Sequence, residues 1–486
     1  MSADPAGTAE LPPIVNRAQL VQALNNAAEL EHMFICQYLY SAFSLKKDPD
    51  AECSPTQLES VRRWASTIYM IARQEMEHLS LVLGMLTAIG EPPYLDRPNF
   101  PRQFAQFLGP ALKRRNQFGP ADPEPCDLPY LLEPFGLRTA KRYACMESPR
   151  VDQTQEPERR AVLDWCFKDQ EGHCGCVSDD DQIVAVHRPR ASQALLAAGA
   201  DSELVIGDIE RFYERIRKGF ILLDAQEKPL FTGDPAQQVQ ILSEYNIFLF
   251  PVTNLSSALS AIGLITRQGE GLGGPPGFDS HFLNYYEIAR EYEQLLAKSK
   301  RTAFQPSLSL PRNPKREDIK NPVALALFDL FNDSYATAVF MLTGLYGHFQ
   351  PESGQKYPHL SAALQETVFA PAMTMLIRPL AEVLVSLPLE TDLEKRSAPN
   401  FYLSDDDRAL LANPSDPRFA EIGFYVDRFE KINATLAAIA AGPAVAGFTE
   451  TIRTRICYIS QNVYRITANL RQIYQSGVYE KFRTTP

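Results

Sequence analysis

The sequence has no run of about 18 consecutive apolar residues, the length that a membrane-spanning helix needs. Its N-terminal segment, residues 1–13, also lacks the basic and apolar regions of a secretory signal. Positive charge is in deficit, because 48 Lys and Arg residues face 59 Asp and Glu residues, and the formal net charge is −11. These absences predict a cytoplasmic protein that has no membrane partner and no general affinity for nucleic acid.

Cysteine is scarce as well, with eight residues in a chain of 486. A chain of this length can build a large apolar core, so we expect reduced thiols rather than a disulfide framework. One stretch does combine several side chains that can bind zinc: Cys166, His173, Cys174, Cys176 and His187. Their spacing matches no strong zinc motif, which favours a loop of reduced cysteines, although a structural metal stays open as the alternative.

What remains is the composition of a globular protein, with 45% hydrophobic, 22% charged and 10% aromatic residues. Apolar residues recur at three- and four-residue steps over long stretches, as in amphipathic helices. We therefore predict a mainly α fold: a helical bundle over residues 14–300, with a long insertion at about 96–200, and a second helical domain over residues 322–486. Residues 301–321 contain three prolines and a basic cluster, which is the composition of a linker between the two domains.

Local signals mark the ends of the first two helices. Asn16 can cap the first helix, with Gln19 three residues later to complete a capping box. The second helix begins at Ser54, where Pro55 takes the first helical position, and it stops near Gly90. Two long helices of this kind suit a bundle.

Glu75 and His78 are three residues apart on the second helix, so both side chains leave one face about a turn apart and can bind one metal ion. Glu31, Glu210 and Glu270 lie on or at the margin of apolar faces of other predicted helices. Burying an unpaired carboxylate costs several kcal/mol, and two divalent cations would cancel the charges of four carboxylates. The sequence therefore predicts a dinuclear metal site, whose ligand types are those of ferritin-like di-iron and di-manganese bundles.

Alternatives remain at three positions. Taken alone, Glu75 and His78 also fit an ordinary charged pair at the edge of a helix. Glu214 lies one turn after Glu210 and could replace it as the ligand from the third helix. His32 points about 100° away from its neighbour Glu31 on a helix, which favours a packed histidine or one that supports a ligand.

Several segments together resemble the ferritin-like domain of iminophenylpyruvate dimer synthases from bisindole pigment pathways. They are ELEH (29–32), QYL (37–39), EMEHL (75–79), NLSSALSAI (254–262) and QGEG (268–271) followed by HF (281–282). The resemblance covers roughly residues 15–300. It implies a ferritin-like bundle whose metal ligands here would be Glu31, Glu75, His78, Glu210, Glu270 and His281.

One pair in that set does not fit a continuous helix. Eleven residues separate Glu270 from His281, which amounts to about 16 Å along a helix. The two side chains can share an ion only if the turn at residues 271–277, rich in glycine and proline, folds back. This fold-back of the loop is a hypothesis.

These features predict an oxygen-dependent dinuclear metalloenzyme that oxidises or couples a small amino-acid-derived substrate of secondary metabolism. Its cofactors would be two iron ions, with manganese as the alternative, and molecular oxygen would be the co-substrate. Tyr38 and Tyr213 lie near ligands on their own helices, so each can support a ligand or simply belong to the core. The chain could also form a homodimer.

Two other functions are considered. Taken literally, the resemblance implies oxidative dimerisation of an imine of an aromatic 2-oxo acid. The other is a non-catalytic ferritin-like protein that binds or stores metal. The long insertion and the additional helical domain make assembly into a storage shell awkward.

Overall fold

The structure is a computed structural model that describes residues 13–101, 130–147, 209–226, 229–235, 238–239, 249–270, 280–299, 304–346, 364–390 and 394–476. Helices form nearly all the regular structure in these ranges. Pairing of β type within them is limited to isolated bridges, such as the one between Leu45 and Ser307. The mainly α fold expected from the apolar spacing is confirmed.

Within the described residues, six helices build the first part of the molecule, and they pack in pairs. The first, α1, packs along α2, while α3 packs against α6 and α4 against α5. Their bounds are Arg17–Ser44 (α1), Pro55–Ala88 (α2), Leu137–Met146 (α3), Ile209–Asp224 (α4), Leu255–Glu270 (α5) and His281–Lys298 (α6).

The ends of α1 and α2 follow the local signals of the sequence. The Asn16 side chain accepts a hydrogen bond from the Gln19 backbone amide, although the Gln19 side chain accepts from Val15 rather than from Asn16. A full capping box forms between Ser54 and Gln57 at the start of α2. Beyond the end of α2, Gly90 has a φ of 77°, the left-handed conformation that glycine adopts without strain.

The segment expected to be an insertion contributes a helix to the bundle. Residues 130–147 include α3, whose Ala140, Tyr143 and Ala144 are fully buried. This helix packs against α6, so the described part of the segment belongs to the core of the bundle. The cysteine and histidine candidates at residues 166–187 lie outside the described residues.

Apart from short 3-10 turns, five further helices follow in the part of the chain that the structure describes. They are α7 (Pro322–Tyr346), α8, α9 (Asp405–Leu411), α10 (Ile422–Ala441) and α11 (Glu450–Gln475). The helix α8 joins four segments end to end: π-helical Gln365–Phe369 and Met373–Ile377, and α-helical Ala370–Ala372 and Arg378–Leu384. In this part α10 packs along α11, and α7 packs against both α8 and α10.

Two of these helices are long and apolar enough to cross a membrane by length and composition alone, Pro322–Tyr346 and Thr367–Leu384. In the first, 72% of the most apolar window is buried inside the fold, and in the second 44%. The burial of α7 is that of a core helix, since helices that are apolar all round are buried in the centre of larger proteins.

The segment predicted to be a linker packs against both parts of the chain. Within it, Ser307 and Phe304 are buried, and Leu308 donates a backbone hydrogen bond of 2.8 Å to Ser44 at the end of α1. Further along, the Lys320 amide donates to Leu389 at 2.9 Å. The buried apolar residues form one cluster that runs from Ile14 to Leu470. The division into two domains stays a prediction.

Candidate metal centre

Five ionisable side chains converge in the centre of the six-helix part. Glu31 comes from α1, Glu75 and His78 from α2, Glu147 directly follows α3, and His281 is the first residue of α6. Each is at most 2% exposed. Three carboxylates and two imidazoles are thus placed in the protein interior, where an uncompensated charge would be costly.

These side chains form two groups that share Glu75. In one group, the His78 Nδ1 atom lies 2.9 Å from Glu75 Oε2 and 3.5 Å from Glu31 Oε2. In the other, the His281 Nδ1 atom lies 3.0 Å from Glu75 Oε1 and 3.7 Å from Glu147 Oε1. Within each group the potential ligand atoms lie within 4.8 Å of one another. The two carboxylate oxygens of Glu75 therefore face two adjacent groups, each of which could hold one metal ion.

Glutamine side chains orient the two imidazoles. The Nε2 atom of His78 lies 2.7 Å from Gln268 Oε1, and the Nε2 atom of His281 lies 3.1 Å from Gln74 Oε1. An amide oxygen only accepts, so each Nε2 carries the hydrogen and donates it. A neutral ring in this tautomer presents the lone pair of Nδ1 to the carboxylates, which is how a metal-binding histidine is oriented.

One close contact in the site needs a positive charge. His281 Nδ1 and Glu75 Oε1 are buried and 3.0 Å apart, yet they lack the alignment of a hydrogen bond. Two lone pairs facing each other at this distance would repel. A positive charge, from a proton on Nδ1 or from a metal ion bound by both atoms, removes the repulsion, and carboxylate and imidazole ligands are those that iron and manganese accept.

The electrostatics of the site reflect the same crowding of carboxylates. Burial and the neighbouring charge of Glu75 raise the pKa of Glu31 to about 7. Burial lowers the pKa of His281, but Glu75 and Glu147 outweigh it and raise that pKa to about 9. The pKa of His78 is likewise raised well above its ordinary value, because Glu75 and Glu31 outweigh burial. The site therefore attracts cations strongly.

Two tyrosines hold the outer carboxylates. The Tyr213 hydroxyl, from α4, donates a hydrogen bond to Glu31 Oε1, and the Tyr38 hydroxyl, from α1, donates to Glu147 Oε1. Both tyrosines are fully buried. Such hydrogen bonds fix the direction in which a ligating carboxylate points.

The structure brings four of the six expected ligands together: Glu31, Glu75, His78 and His281. Glu210 lies half-buried in the first turn of α4 and belongs to neither group found among the described residues. Glu214 is at the surface, where its Oε1 atom lies 3.4 Å from the Arg217 Nη1 atom. The Glu270 side chain and the turn at residues 271–277 lie outside the described residues, so the roles of Glu210 and Glu270 stay predictions.

Glu147 was missed by the sequence reasoning. It stands at the end of a short helix inside the segment that was expected to be an irregular insertion. The available signal was the apolar spacing of Ala140, Tyr143 and Ala144, all of which are buried. If this spacing is continued past the end of α3, it places Glu147 at the margin of an apolar helix face. The same kind of spacing pointed to Glu31 on the first helix.

A family model described as ferritin-like matches residues 24–290. Dichlorochromopyrrolate synthase from Lentzea aerocolonigenes is 27% identical over 79% of this chain, and 2-imino-3-(indol-3-yl)propanoate dimerase from Chromobacterium violaceum is 26% identical over the same share. The chain spans only about a third of the length of these curated relatives, 36% and 33%. The crystal structure of a ferritin-like protein from Caulobacter vibrioides aligns with 80% of this chain and 100% of its own, at 18% identity and a TM-score of 0.44. The resemblance drawn from the sequence motifs is confirmed, and the chain belongs to the ferritin-like family.

Proposed function

We propose that this chain is a dinuclear metalloenzyme that uses molecular oxygen to oxidise or couple a small amino-acid-derived substrate. The resident metal would be a pair of iron ions, with manganese as the alternative. The observation that carries the proposal is the pair of buried carboxylate and histidine groups that share Glu75. Neither a surface ion pair nor an ordinary core needs three carboxylates and two imidazoles in one buried cluster.

The donor set suits two divalent cations of the iron or manganese type. Glu31, Glu75 and His78 would hold one ion, while Glu75, Glu147 and His281 would hold the other. The three carboxylates would offset three of the four positive charges, and the neutral imidazoles add none. Three protein ligands for each ion leave coordination positions open to oxygen and substrate, as catalytic rather than purely structural sites require.

When bound, the metal pair would supply the electrons and the Lewis acidity for oxygen chemistry. The protein's own residues have other tasks. Tyr213 and Tyr38 fix the directions of Glu31 and Glu147, and the glutamine partners fix the histidine tautomers. Burial of every ligand excludes bulk water from the reacting centre.

The names of the two relatives favour a narrower version of this function. Both are named for synthesis or dimerisation, and one of the names specifies an indolyl imino acid. We therefore place the imine of an aromatic 2-oxo acid first among candidate substrates, with oxidative coupling of two such molecules as the reaction. A metal store without catalysis is the competing function, and the enzyme names of the relatives favour catalysis over it.

Metal content tests the site itself. We expect two ions per chain in the wild-type protein and a loss of most of both in Glu75→Gln, because Glu75 contributes to both groups. Glu59→Gln is the matched control, since Glu59 is exposed on the same helix. Elemental analysis with circular dichroism decides the outcome. If folded Glu75→Gln keeps two ions, the metal centre is elsewhere and the proposal fails.

Oxygen consumption separates catalysis from storage. The iron-loaded protein would be mixed anaerobically with an aromatic 2-imino acid generated from its amino acid, and oxygen would then be admitted. Coupling predicts oxygen uptake with a product whose mass is twice that of the monomer less two hydrogens. Storage predicts oxygen uptake only with excess ferrous iron, and more than two irons retained per chain.

A further inference from the structure

Tyr285 is a buried residue beside the candidate metal centre, and its hydroxyl has no hydrogen-bonding partner among the described residues. It lies on α6 one turn after His281, and residues four apart on a helix are neighbours on one face. The side chain is fully buried, and its hydroxyl oxygen makes no hydrogen bond to any residue that the structure describes. Buried hydroxyls are nearly always paired, so an unpaired one calls for an explanation.

The tyrosines around it use their hydroxyls differently. The ring of Tyr285 lies 5.2 Å from the rings of both Tyr38 and Tyr143, measured between centroids. Tyr38 donates to Glu147 in the metal centre. The Tyr143 hydroxyl lies 2.7 Å from Ser41 Oγ and donates to the Gln37 carbonyl at 3.2 Å. Of this group of three rings, Tyr285 alone has a hydroxyl without a bonding partner.

The surroundings keep Tyr285 protonated. Burial raises the pKa of its hydroxyl well above the ordinary value, and the neighbouring Tyr143 and the charges of Glu147 and Glu75 raise it further. Its place one turn after His281, with its ring packed on Tyr38, whose hydroxyl bonds Glu147, puts Tyr285 beside the group formed by Glu75, Glu147 and His281. At neutral pH it is therefore a neutral hydrogen-bond donor beside that group.

We propose that the Tyr285 hydroxyl donates a hydrogen bond to a small anionic ligand at the open coordination position of the Glu75, Glu147 and His281 group. This inference rests on the proposed function, because the metal ion is what would hold the ligand there. The anion could be a ligand derived from oxygen or the carboxylate of the substrate. A neutral donor suits either, since it stabilises the anion without adding to the positive charge of the metal pair.

Ligand binding to the iron-loaded protein tests the proposal. Azide represents a small ligand derived from oxygen, and phenylpyruvate represents a substrate carboxylate. Tyr285→Phe should keep two ions. Its affinity for one of these two probes should fall by about tenfold, which corresponds to the loss of one hydrogen bond to a charged acceptor. Weaker azide binding alone assigns the hydroxyl to the oxygen-derived ligand, and weaker phenylpyruvate binding alone assigns it to the substrate. Unchanged affinity for both overturns the proposal.

Tyr143→Phe is the matched control, because it removes a hydroxyl from the same aromatic cluster without touching the site. It should leave both affinities unchanged. In the metal-free protein the two variants should behave in opposite ways in chemical denaturation. Tyr143→Phe loses two hydrogen bonds and should be less stable than the wild type, whereas Tyr285→Phe loses none and should be at least as stable.

The two proposals fail in distinguishable ways. A folded wild-type protein that binds no metal rejects the proposed function. A protein with two ions in which Tyr285→Phe is as destabilised as Tyr143→Phe rejects only the inference about Tyr285, because its hydroxyl would then serve the fold.

Discussion

The carboxylates around His281 shift its pKa far enough for the change to be measured. Its Nδ1 atom faces Glu75 and Glu147, and their charges outweigh burial and raise its pKa to about 9. A proton and a metal ion compete for this one atom. The folded protein without metal keeps the proton at neutral pH, and metal binding must displace it.

Stability and metal affinity should therefore depend on pH in opposite directions. An unfolded histidine has a pKa of about 6.5, and the folded value is higher. The stabilisation from protonated His281 is thus complete below about pH 6.5 and is lost as pH rises through about 9. Metal affinity should instead rise with pH over this window. For an unperturbed histidine, the loss of metal on acidification would begin only near pH 6.5.

Denaturation of the metal-free protein and metal titration, each at pH 6.5 and pH 9.5, would measure these two trends. His281→Gln is the control, because it keeps a polar side chain but cannot take up the proton. The difference between wild type and His281→Gln isolates this residue from other groups that titrate near pH 9. Identical pH dependence in the two proteins would contradict the assignment of the proton to His281.

At the scale of the helices, caps and turns made the first two elements predictable. Asn16, Ser54 and Gly90 act locally, so the sequence alone indicates where α1 and α2 begin and where α2 ends. These helices carry three of the five clustered side chains, namely Glu31, Glu75 and His78. These three side chains could be singled out from the sequence because long amphipathic helices display their inner face in the spacing of their apolar residues.

The rest of the site depends on tertiary packing, which local signals do not report. The short helix α3 gains its place by packing on α6, and Glu147 stands at its end. On α4 the apolar pattern predicted Glu210 as a ligand, and the side chain that bonds Glu31 in the cluster is Tyr213, one turn later. The apolar spacing of a helix identifies its buried face. Which residue on that face reaches the cluster depends on how the helix packs against its neighbours.

A pair of glycines tests how tightly the end of α2 is packed. A Cβ atom at Gly233 would lie 1.8 Å from the carbonyl oxygen of Thr87 in α2, whereas one at Gly263 in α5 would meet no atom of the described residues within 4 Å. We expect Gly233→Ala to lower the free energy of unfolding by about 1–3 kcal/mol or more. Gly263→Ala should raise it by about 0.5–1 kcal/mol through better helix propensity. Urea denaturation measures both, and equal stability of the two variants would contradict this packing.

At the scale of the whole molecule, one hydroxyl joins the C-terminal helices to the helix that carries Glu31. The hydroxyl of Tyr335, on α7, lies 2.7 Å from His32 Nε2 and 3.5 Å from Cys36 Sγ, both on α1. It also accepts hydrogen bonds of 3.0 and 2.9 Å from the Arg97 guanidinium, which is completely buried. His32 therefore faces α7, while its neighbour Glu31 faces the candidate metal centre.

Removing this hydroxyl should destabilise the entire protein. In Tyr335→Phe the buried Arg97 side chain loses both of its bonds to the hydroxyl and keeps those to the carbonyl oxygens of Pro98 and Phe401, while His32 loses the partner of Nε2. Leaving buried polar groups unpaired costs about 1–3 kcal/mol, and more when one of them is charged. We expect the free energy of unfolding to fall by at least that amount.

Tyr402→Phe provides the comparison, because Tyr402 is 43% exposed and its loss should change stability little. Following helix content and metal release in one denaturation experiment adds a second readout. If the Tyr335 hydroxyl couples the C-terminal helices to α1, metal release and loss of helix should shift together to lower denaturant concentration in Tyr335→Phe. If metal release stays at the wild-type midpoint while part of the helix content is lost earlier, the six-helix part holds its metal without help from the C-terminal helices. The coupling through Tyr335 would then be refuted, and the predicted division near residues 301–321 would gain support.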